Sequence, residues 1–410
     1  MKKIAFIAFD LNPLWGSEAH VGHMWLRAIS SDFYVEVFTL SINKDAIEDF
    51  DYGPNVKFHY IEINPLLRQF LFKLKLFGTL NRTFIKQLTP ILLELCHKKK
   101  ISLIHFVTPA GIHTYNNIYK KIDIPYLIGP IGGGLKTPPG FSKAFNLNAL
   151  LSSKLRSLFH ISLKYKKTFK NYLKCSSAII AGTKFIMPII PVEVHNKVRY
   201  IFDTSIEEEL KPVPKVHSEK VKLVFCGRLI AIKGITMLID ALGKIKKERP
   251  QVWNAIDVKI LGDGPLRSKC ERHSAKYGLS NRVSFLGKIP RKETLEIVAN
   301  SDILCNPAIR EPGGTAVLEG MALGLPLIVA DYGGPSISVT EECGIKIKLT
   351  DYATFVEDLA LAISLLITNE DLRIRLGEAA KERSIEFSFE ALKKRALELY
   401  NKLTENRSPK

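Results

Sequence analysis

The chain has 410 residues, of which 46% are hydrophobic and 24% charged, an ordinary composition for a globular protein large enough for two domains. No hydrophobic run is long enough to span a bilayer. The six cysteines are scattered without a C-x-x-C pair, which argues against a disulfide framework or a metal cage and fits a reducing cytoplasm. The net charge is +18, and +15 of it falls in residues 1–200, so we expect the first half to meet an anionic partner.

Strands and helices alternate along the whole chain. The strand Lys3–Phe9 precedes a helix over 19–29, and the second half opens in the same way, with the strand Val221–Cys226 before a helix over 234–246. The other predicted strands are Val35–Leu40, Leu103–Val107, Tyr126–Ile128, Ala178–Ala181, Asp257–Leu261, Val283–Leu286, Ile303–Asn306 and Leu327–Ala330. This alternation predicts an α/β fold with two doubly wound sheets of parallel strands.

Composition suggests where the domains divide. We expect a first domain over 1–202, a linker rich in glutamate and proline over 203–220, and a second domain over 221–385. The last segment, 386–410, is expected to form a helix that crosses back to the first domain and ends in a frayed polar tail.

Two carboxylates, Glu311 and Glu319, stand eight positions apart around a double glycine. The residues before them predict a buried strand ended by proline, and the residues after them predict a helix over 316–325. Both carboxylates are therefore expected beyond a strand's carboxyl end, in the crevice where open α/β sheets bind ligands. Carboxylates repel phosphate and bind hydroxyls, whereas a helix N-terminus suits an anion. A sugar nucleotide offers both groups.

Six segments, taken together in their order and spacing, support a family name. The chain resembles the retaining, nucleotide-sugar-dependent glycosyltransferases of family 4. The matching segments are Gly16–Ala19, Phe225–Gly234, Leu261–Pro265, Val283–Gly287, Glu311–Glu319 and Asp331–Pro335. The resemblance implies the GT-B fold, in which two Rossmann-like domains face each other across a cleft.

The resemblance also implies a donor site in the second domain. Arg228 and Lys233 would hold the donor diphosphate and stabilise the charge that builds on it when the glycosyl bond breaks. Glu311 would bind hydroxyls of the transferred sugar, so these three are the candidate catalytic residues. For either cation alone, a surface position beside a turn is the alternative interpretation.

Further donor contacts follow from the same resemblance. Glu319 would accept hydrogen bonds from the ribose hydroxyls, and Gly16 would let the first loop close over the donor phosphate. The remaining donor-binding candidates, through their backbone N–H groups, are Gly313, Gly314 and Thr315. The alternatives are a solvated helix position for Glu319 and a simple helix cap for the Gly16 loop.

On the acceptor side, the chain departs from the usual pattern of the family that it resembles. The loop Ile128–Gly134 resembles a Gly-Pro-x-Gly-Gly-Gly version found in a subset of the family, several of which build bacterial exopolysaccharides. It lacks the histidine that many relatives carry at this turn. Gly132 and Gly133 are the loop's candidate acceptor residues. The candidate substitutes for the histidine are His20, His105 and, preferred, His113, each with a purely structural role as the alternative.

Two basic segments concentrate the charge of the first half, at residues 66–100 and 152–174. Both interleave cations with Leu, Phe, Ile and Tyr, as in a basic helix that lies on anionic lipid. A solvated cationic face is the alternative. Nucleic acid is disfavoured because no zinc-finger spacing, RNP-type motif or helix-turn-helix pattern is present.

These observations predict a glycosyltransferase of the hexosyltransferase type, peripheral on the inner face of a cell membrane. The resemblance implies transfer from a UDP-sugar, or next a GDP-sugar, to a lipid-linked saccharide in bacterial surface polysaccharide biosynthesis. No cofactor or metal is expected. The alternatives are a phosphorylase or hydrolase of an activated sugar on the same fold, and a non-catalytic nucleotide-sugar or lipid-binding protein.

Overall fold

Two units, each built on its own parallel sheet, make up the chain in the computed structural model. One unit comprises Met1–Gly134, Leu158–Ser205 and Phe389–Lys410, and the other comprises Leu135–Ser157 and Ile206–Ser388. The structure describes residues 1–13, 18–74, 76–99, 101–112, 114–142, 145, 159–163, 165–207, 210 and 219–405.

The sheet of the first unit has seven parallel strands in the order β3-β2-β1-β4-β5-β6-β7. The strands are β1 Lys3–Ala8, β2 Tyr34–Leu40, β3 Val56–Ile61, β4 Leu103–Thr108, β5 Tyr126–Ile131, β6 Ala178–Ala181 and β7 Val198–Tyr200. β4 and β5 are buried along their whole length, as expected for central strands covered by helices on both faces.

Helices cover both faces of this sheet. They are α1 Glu18–Ser30, α2 Lys44–Glu48, α3 Pro65–Lys73, α4 Phe77–Lys99, α5 Lys167–Cys175 and the C-terminal helix, named α14 below. One core joins the sheet to α4 and α5, and a second joins the opposite face to α1 and the C-terminal helix. The buried Tyr400 of that helix contacts Phe33 and His105.

The sheet of the second unit has six parallel strands in the order β10-β9-β8-β11-β12-β13. They are β8 Val221–Cys226, β9 Ile256–Leu261, β10 Val283–Gly287, β11 Ile303–Asn306, β12 Leu327–Ala330 and β13 Gly344–Ile347. The helices are α6 Ile235–Glu248, α7 Pro250–Asn254, α8 Arg267–Lys276, α9 Arg291–Ala299, α10 Thr315–Ala322, α11 Pro335–Ser338, α12 Tyr352–Thr368 and α13 Glu370–Ser384. The C-terminal helix α14, Phe389–Glu405, belongs to the first unit.

The predicted fold class, two doubly wound sheets of parallel strands, is confirmed. Three strands had no prediction, β3, β7 and β13, and all three lie at sheet edges. Edge strands are partly exposed to solvent. These three carry polar residues, so their sequences resemble those of loops. The helix predicted over 316–325 ends earlier, at Ala322, because Gly324 adopts a left-handed φ of 74°.

The main difference between the division into units and the predicted domains lies in the first of them. The described residues of Leu135–Ser157 cluster with the second unit, although 1–202 was predicted as one domain. Outside that segment, the chain passes between the units next to Ile206 and again next to Ser388, and these two residues pair in a parallel bridge. Of the predicted polar tail, Thr404 is buried at the end of α14, and 406–410 lie outside the described residues.

Within the described ranges, no single helix combines the length and hydropathy of a membrane span. α12 and the residues Glu370–Phe387 pass that test only as a pair, bent by 102°.

Candidate functional site

The charged residues predicted to bind the donor lie in two loops that follow neighbouring strands of the second unit. β8 pairs with β11 in parallel, so the loops after Cys226 and after Asn306 leave the same edge of the sheet. Gly234 has a φ of 76°, and a Cβ atom there would lie 2.1 Å from the Pro307 carbonyl oxygen. This close approach of backbones places Lys233 against the loop that carries Glu311.

Lys233 and Glu311 form an ion pair between their side-chain termini. Only 19% of the Lys233 side chain and 12% of the Glu311 side chain are exposed. Burial, with the charge of Arg228 as the next cause, lowers the pKa of Lys233 to about 8. Arg228 itself is exposed and close enough for its charge to act on Lys233. The structure therefore brings the three candidate catalytic residues together in one unit.

Glu319 lies inside α10 and is almost fully buried. Burial raises the pKa of Glu319, and the positive charge of Arg291 opposes that rise. Arg291 is the first residue of α9, and its Nη1 lies 2.6 Å from Glu319 Oε1. No role was predicted for Arg291, because the sequence does not distinguish it from the charged residues around it.

The thiol of Cys226 lies within electrostatic reach of both ion pairs. Burial, followed by the charge of Glu319, raises the pKa of Cys226 to about 12, while Lys233 and Arg291 act in the opposite direction. All three charges thus act on one half-buried thiol at the end of β8. Two cations and two carboxylates surround the carboxyl end of the central strands of this sheet, and Arg228 adds a fifth charge.

The double glycine before α10 meets a second double glycine after β12. Gly334 donates its backbone N–H to the Glu311 carbonyl oxygen at 2.8 Å, and a Cβ on Gly333 would lie 2.2 Å from that oxygen. Side chains would therefore force the two loops apart. Gly314, with a φ of 98°, caps α10, which begins at Thr315. Val317 donates its backbone N–H to the Gly314 carbonyl oxygen at 2.8 Å, so the N–H groups ahead of it, those of Thr315 and Ala316, have no acceptor within the helix and suit an anionic ligand.

The candidate acceptor residues lie at the carboxyl edge of the first unit's sheet. Gly132 donates its backbone N–H to the Ala110 carbonyl oxygen at 2.8 Å, which ties the loop after β5 to the loop after β4. Gly133, with a φ of 106°, faces open space where its Cβ would stand. The predicted site residues Gly16 and His113 lie outside the described residues.

His105 is not an acceptor-side substitute for the missing histidine. It is fully buried in β4, where its Nε2 lies 2.5 Å from the Gly129 carbonyl oxygen and its Nδ1 hydrogen-bonds to the Tyr400 hydroxyl. Burial lowers the pKa of His105 to about 3. The residue therefore stays neutral and serves the core.

Asp10, which the sequence analysis did not select, follows β1 at this same edge. Burial, and next the charge of Glu18, raises the pKa of Asp10 to about 7. Its backbone N–H is held by the Thr108 hydroxyl at 3.0 Å, and the Glu18 carboxylate accepts the N–H of Ala110. Two carboxyl groups thus stand beside the loop that contacts Gly132. The signal for Asp10 was an acidic residue directly after a hydrophobic strand.

Comparison with known proteins places these observations in a family context. Residues 206–383 match the profile of the family "Glycosyl transferases group 1". A curated relative, D-inositol 3-phosphate glycosyltransferase of Corynebacterium efficiens, is 30% identical over 187 residues, which are 44% of this chain and 43% of the relative. The chain thus spans less than half the length of that relative.

Two solved structures match over nearly the whole chain. Sucrose-phosphate synthase from Thermosynechococcus elongatus has a TM-score of 0.71 at 18% identity, over 99% of this chain and 100% of that one. Anabaena HepE in complex with UDP has a TM-score of 0.65 at 16% identity, over 98% and 100%. These likenesses show the fold, two parallel-sheet domains as in GT-B glycosyltransferases. The profile and the named relatives support a glycosyltransferase.

Proposed function

We propose that this chain, which carries a glycosyl transferases group 1 domain over residues 206–383, transfers a sugar from a nucleotide-diphosphate donor to a lipid-linked saccharide or related acceptor. A UDP-sugar is the favoured donor and a GDP-sugar the next. The process is the assembly of a bacterial surface polysaccharide. The observation that carries the proposal is the group of Arg228, Lys233, Glu311 and Glu319 in the second unit.

The cations would bind the donor diphosphate together with the N-terminus of α10. Lys233 now pairs with Glu311, and a diphosphate would add a second anionic partner beside Arg228. Negative charge grows on the diphosphate as the glycosyl bond breaks, so cations already held in place stabilise the transition state more than the ground state. The same cations supply the positive charge that a divalent metal ion would bring, and we propose that none is required.

Glu319 would bind the ribose of the donor. Two neighbouring hydroxyls can both donate hydrogen bonds to one carboxylate, and such bonds are strongest when the carboxylate is ionised. Arg291 opposes the pKa rise that burial imposes on Glu319 and so helps to keep it ionised. Glu311, exposed over only 12% of its side chain, would bind hydroxyls of the sugar.

The proposed nucleobase follows a structural neighbour, and the proposed stereochemistry follows the family resemblance. Anabaena HepE, a structural neighbour, was solved in complex with UDP, which supports a uridine nucleotide. Family 4 enzymes retain the anomeric configuration, and we propose the same here, with the departing diphosphate taking the acceptor's proton. Gly132, Gly133 and the carboxyl groups of Asp10 and Glu18 would then bind the acceptor hydroxyls.

A thermal-shift panel of UDP-, GDP- and dTDP-sugars on the purified full chain tests the donor. We expect one nucleotide class to raise the melting temperature, and we expect Glu319→Gln to abolish that shift. Glu378→Gln, an exposed change on α13, is the matched control and should keep the shift. If the protein binds a donor but transfers no sugar to a membrane extract, it is a non-catalytic nucleotide-sugar-binding protein. That result would contradict the proposed activity.

A further inference from the structure

The first unit carries a compact surface of exposed hydrophobic side chains on α3 and the turn into α4. Seven large side chains between residues 66 and 77 are each at least 43% exposed. They are Leu66, Leu67, Phe70, Phe72, Leu74, Leu76 and Phe77. Exposed hydrophobic residues are common singly but not in such density, and a contiguous patch marks a site of interaction.

The helix α3, which carries this surface, is stabilised by a side-chain cap at its N-terminus and by packing contacts. The Asn64 side chain caps α3 by accepting the N–H groups of Leu66 at 3.0 Å and Leu67 at 3.2 Å, with Pro65 in the first turn. Leu71 is the buried residue that attaches α3 to the core, and the rings of Phe72 and Phe77 meet edge to face at 5.4 Å. The hydrophobic side chains are thus displayed on a formed helix.

The charges around this surface are of one sign. From residue 63 through residue 93 the sequence contains no Asp or Glu, while it contains Arg68, Lys73, Lys75, Arg82 and Lys86. Arg82 and Lys86 are exposed and stand one turn apart on α4, so they share one face of that helix. A hydrophobic helix in a segment whose only charged residues are cations is complementary to an anionic bilayer.

A groove beside α4 gives this surface a place for a phosphate group. It has a volume of about 390 Å³, within the range of small-ligand sites. Three cations line it, Arg82, Lys86 and Lys121, and hydroxyl and amide groups stand beside them, including those of Thr89 and Thr168. No carboxylate is among the described residues that line it.

The second basic segment contributes less to this surface. In α5, the large hydrophobic residues Phe169, Tyr172 and Leu173 are buried in the core of the first unit. Their helix therefore presents a solvated cationic face, which was the alternative interpretation for this segment. Tyr165, exposed over 80%, is the main exposed aromatic residue among its described members.

We propose that the α3–α4 surface binds an anionic phospholipid bilayer, with the hydrophobic side chains of α3 entering the lipid interface and the groove of Arg82, Lys86 and Lys121 holding a lipid phosphate. The inference deepens the proposed function, because a lipid-linked acceptor is reached at a membrane. Its test measures binding alone and does not depend on sugar transfer.

The experiment is flotation of the full chain with vesicles of phosphatidylcholine containing phosphatidylglycerol, against vesicles of phosphatidylcholine alone. We expect binding to the anionic vesicles and a loss of about 10²-fold in the triple variant Arg82→Gln/Lys86→Gln/Lys121→Gln, at roughly fivefold for each cation. The matched control, Lys247→Gln/Lys269→Gln/Lys276→Gln, removes the same charge from exposed positions of the second unit and should keep the binding.

A second variant separates hydrophobic insertion from charge. Leu66→Gln/Phe70→Gln/Phe72→Gln should weaken vesicle binding about 10²-fold, at roughly fivefold for each side chain that leaves the interface. Leu361→Gln/Leu365→Gln/Ile374→Gln, which changes exposed residues of α12 and α13, is its control. All four variants change exposed or groove-lining surface, so an unchanged melting temperature verifies folding.

Three outcomes would overturn the inference. Wild-type protein that fails to float with anionic vesicles is the first. The second is flotation that the α3 variant leaves unchanged, together with tight filter retention of RNA. The third is a concentration-dependent dimer that the α3 variant abolishes while no vesicle binding occurs. The nucleotide-sugar shift of the wild type, measured on the same protein, stays independent of all three.

Discussion

The two units use their charges in opposite ways. In the second unit the site charges are paired, Lys233 with Glu311 and the exposed Arg291 with the buried Glu319. In the first unit the cations of α3 and of the first part of α4 lie between residues 63 and 93, a stretch without a single acidic residue. Paired charges suit a small ligand that carries both phosphate and hydroxyls, whereas an unbalanced surface suits a large anionic one.

The same contrast runs through the net charge. Residues 1–200 hold +15 of the +18, whereas the remainder, with 32 basic residues against 29 acidic ones, is close to neutral. A nucleotide-sugar site needs carboxylates for hydroxyls, and a membrane surface needs none. Substitutions that alter the charges of one unit and leave the other intact test this difference.

The largest effect is expected from the cations of the second unit. Arg228→Ala should lower the rate of sugar transfer by at least about 10²-fold, because it removes charge that stabilises the departing diphosphate. Steady-state kinetics with a UDP-sugar and membrane extract measure this. Arg272→Ala, at an exposed position of α8, is the matched control. Near-wild-type activity of Arg228→Ala would show that Arg228 does not stabilise the departing diphosphate.

The next effect concerns how the second unit holds its site together. Gly234→Ala should lower the free energy of unfolding by about 2 kcal/mol or more, since Gly234 has a φ of 76° and its Cβ would meet the Pro307 carbonyl oxygen. Denaturant unfolding measures the change. Gly53→Ala is the control, because Gly53 also has a positive φ, of 86°, but no atom lies within 4 Å of its Cβ position. Equal losses in both variants would show that φ alone matters.

A smaller effect is expected from pH at the first unit. The pKa of Asp10 is raised to about 7 from 3.8, so the folded state keeps a proton that the unfolded chain releases. Stability from this group is therefore present at low pH and is lost as the pH rises from about 4 to about 7. Asp10→Asn should flatten that fall between pH 4 and pH 7. Parallel pH profiles of unfolding in the two proteins would contradict the burial of an ionisable Asp10.

The smallest effect is expected from chelation. If the cations of the second unit provide the positive charge for the diphosphate, EDTA should leave the rate of transfer unchanged within about twofold. The same assay with added magnesium or manganese is the control. A loss of activity on chelation that a metal ion restores would contradict the proposal that none is required.

The sequence predicts the centre of each sheet well and its periphery poorly. Central strands such as β4 and β11 are mainly hydrophobic runs, which are easily recognised in the sequence. In contrast, β7 and β13 are short and partly polar. The pairing of Lys233 with Glu311 could not be predicted from the sequence, since it depends on the approach of two loops whose paired residues are 78 positions apart.

Motif order selected charged residues that the structure brings together, but not all their partners. Glu319 was selected, yet its partner Arg291 is an exposed arginine in a segment with several charged residues, so sequence alone gave it no distinction. Asp10 likewise gains its raised pKa from burial and from Glu18, which only the fold brings near. In contrast, the hydrophobic and basic character of residues 66–86 is visible in the sequence, and the structure adds which of those side chains are exposed.

Titration calorimetry with UDP and with GDP measures directly whether the second unit binds a nucleoside diphosphate through its paired charges. We expect one of the two to bind the wild type, and we expect Arg228→Ala and Glu319→Gln each to weaken that binding at least about tenfold while Arg272→Ala leaves it unchanged. Absence of binding by either nucleotide, or equal affinity in all four proteins, would contradict the account.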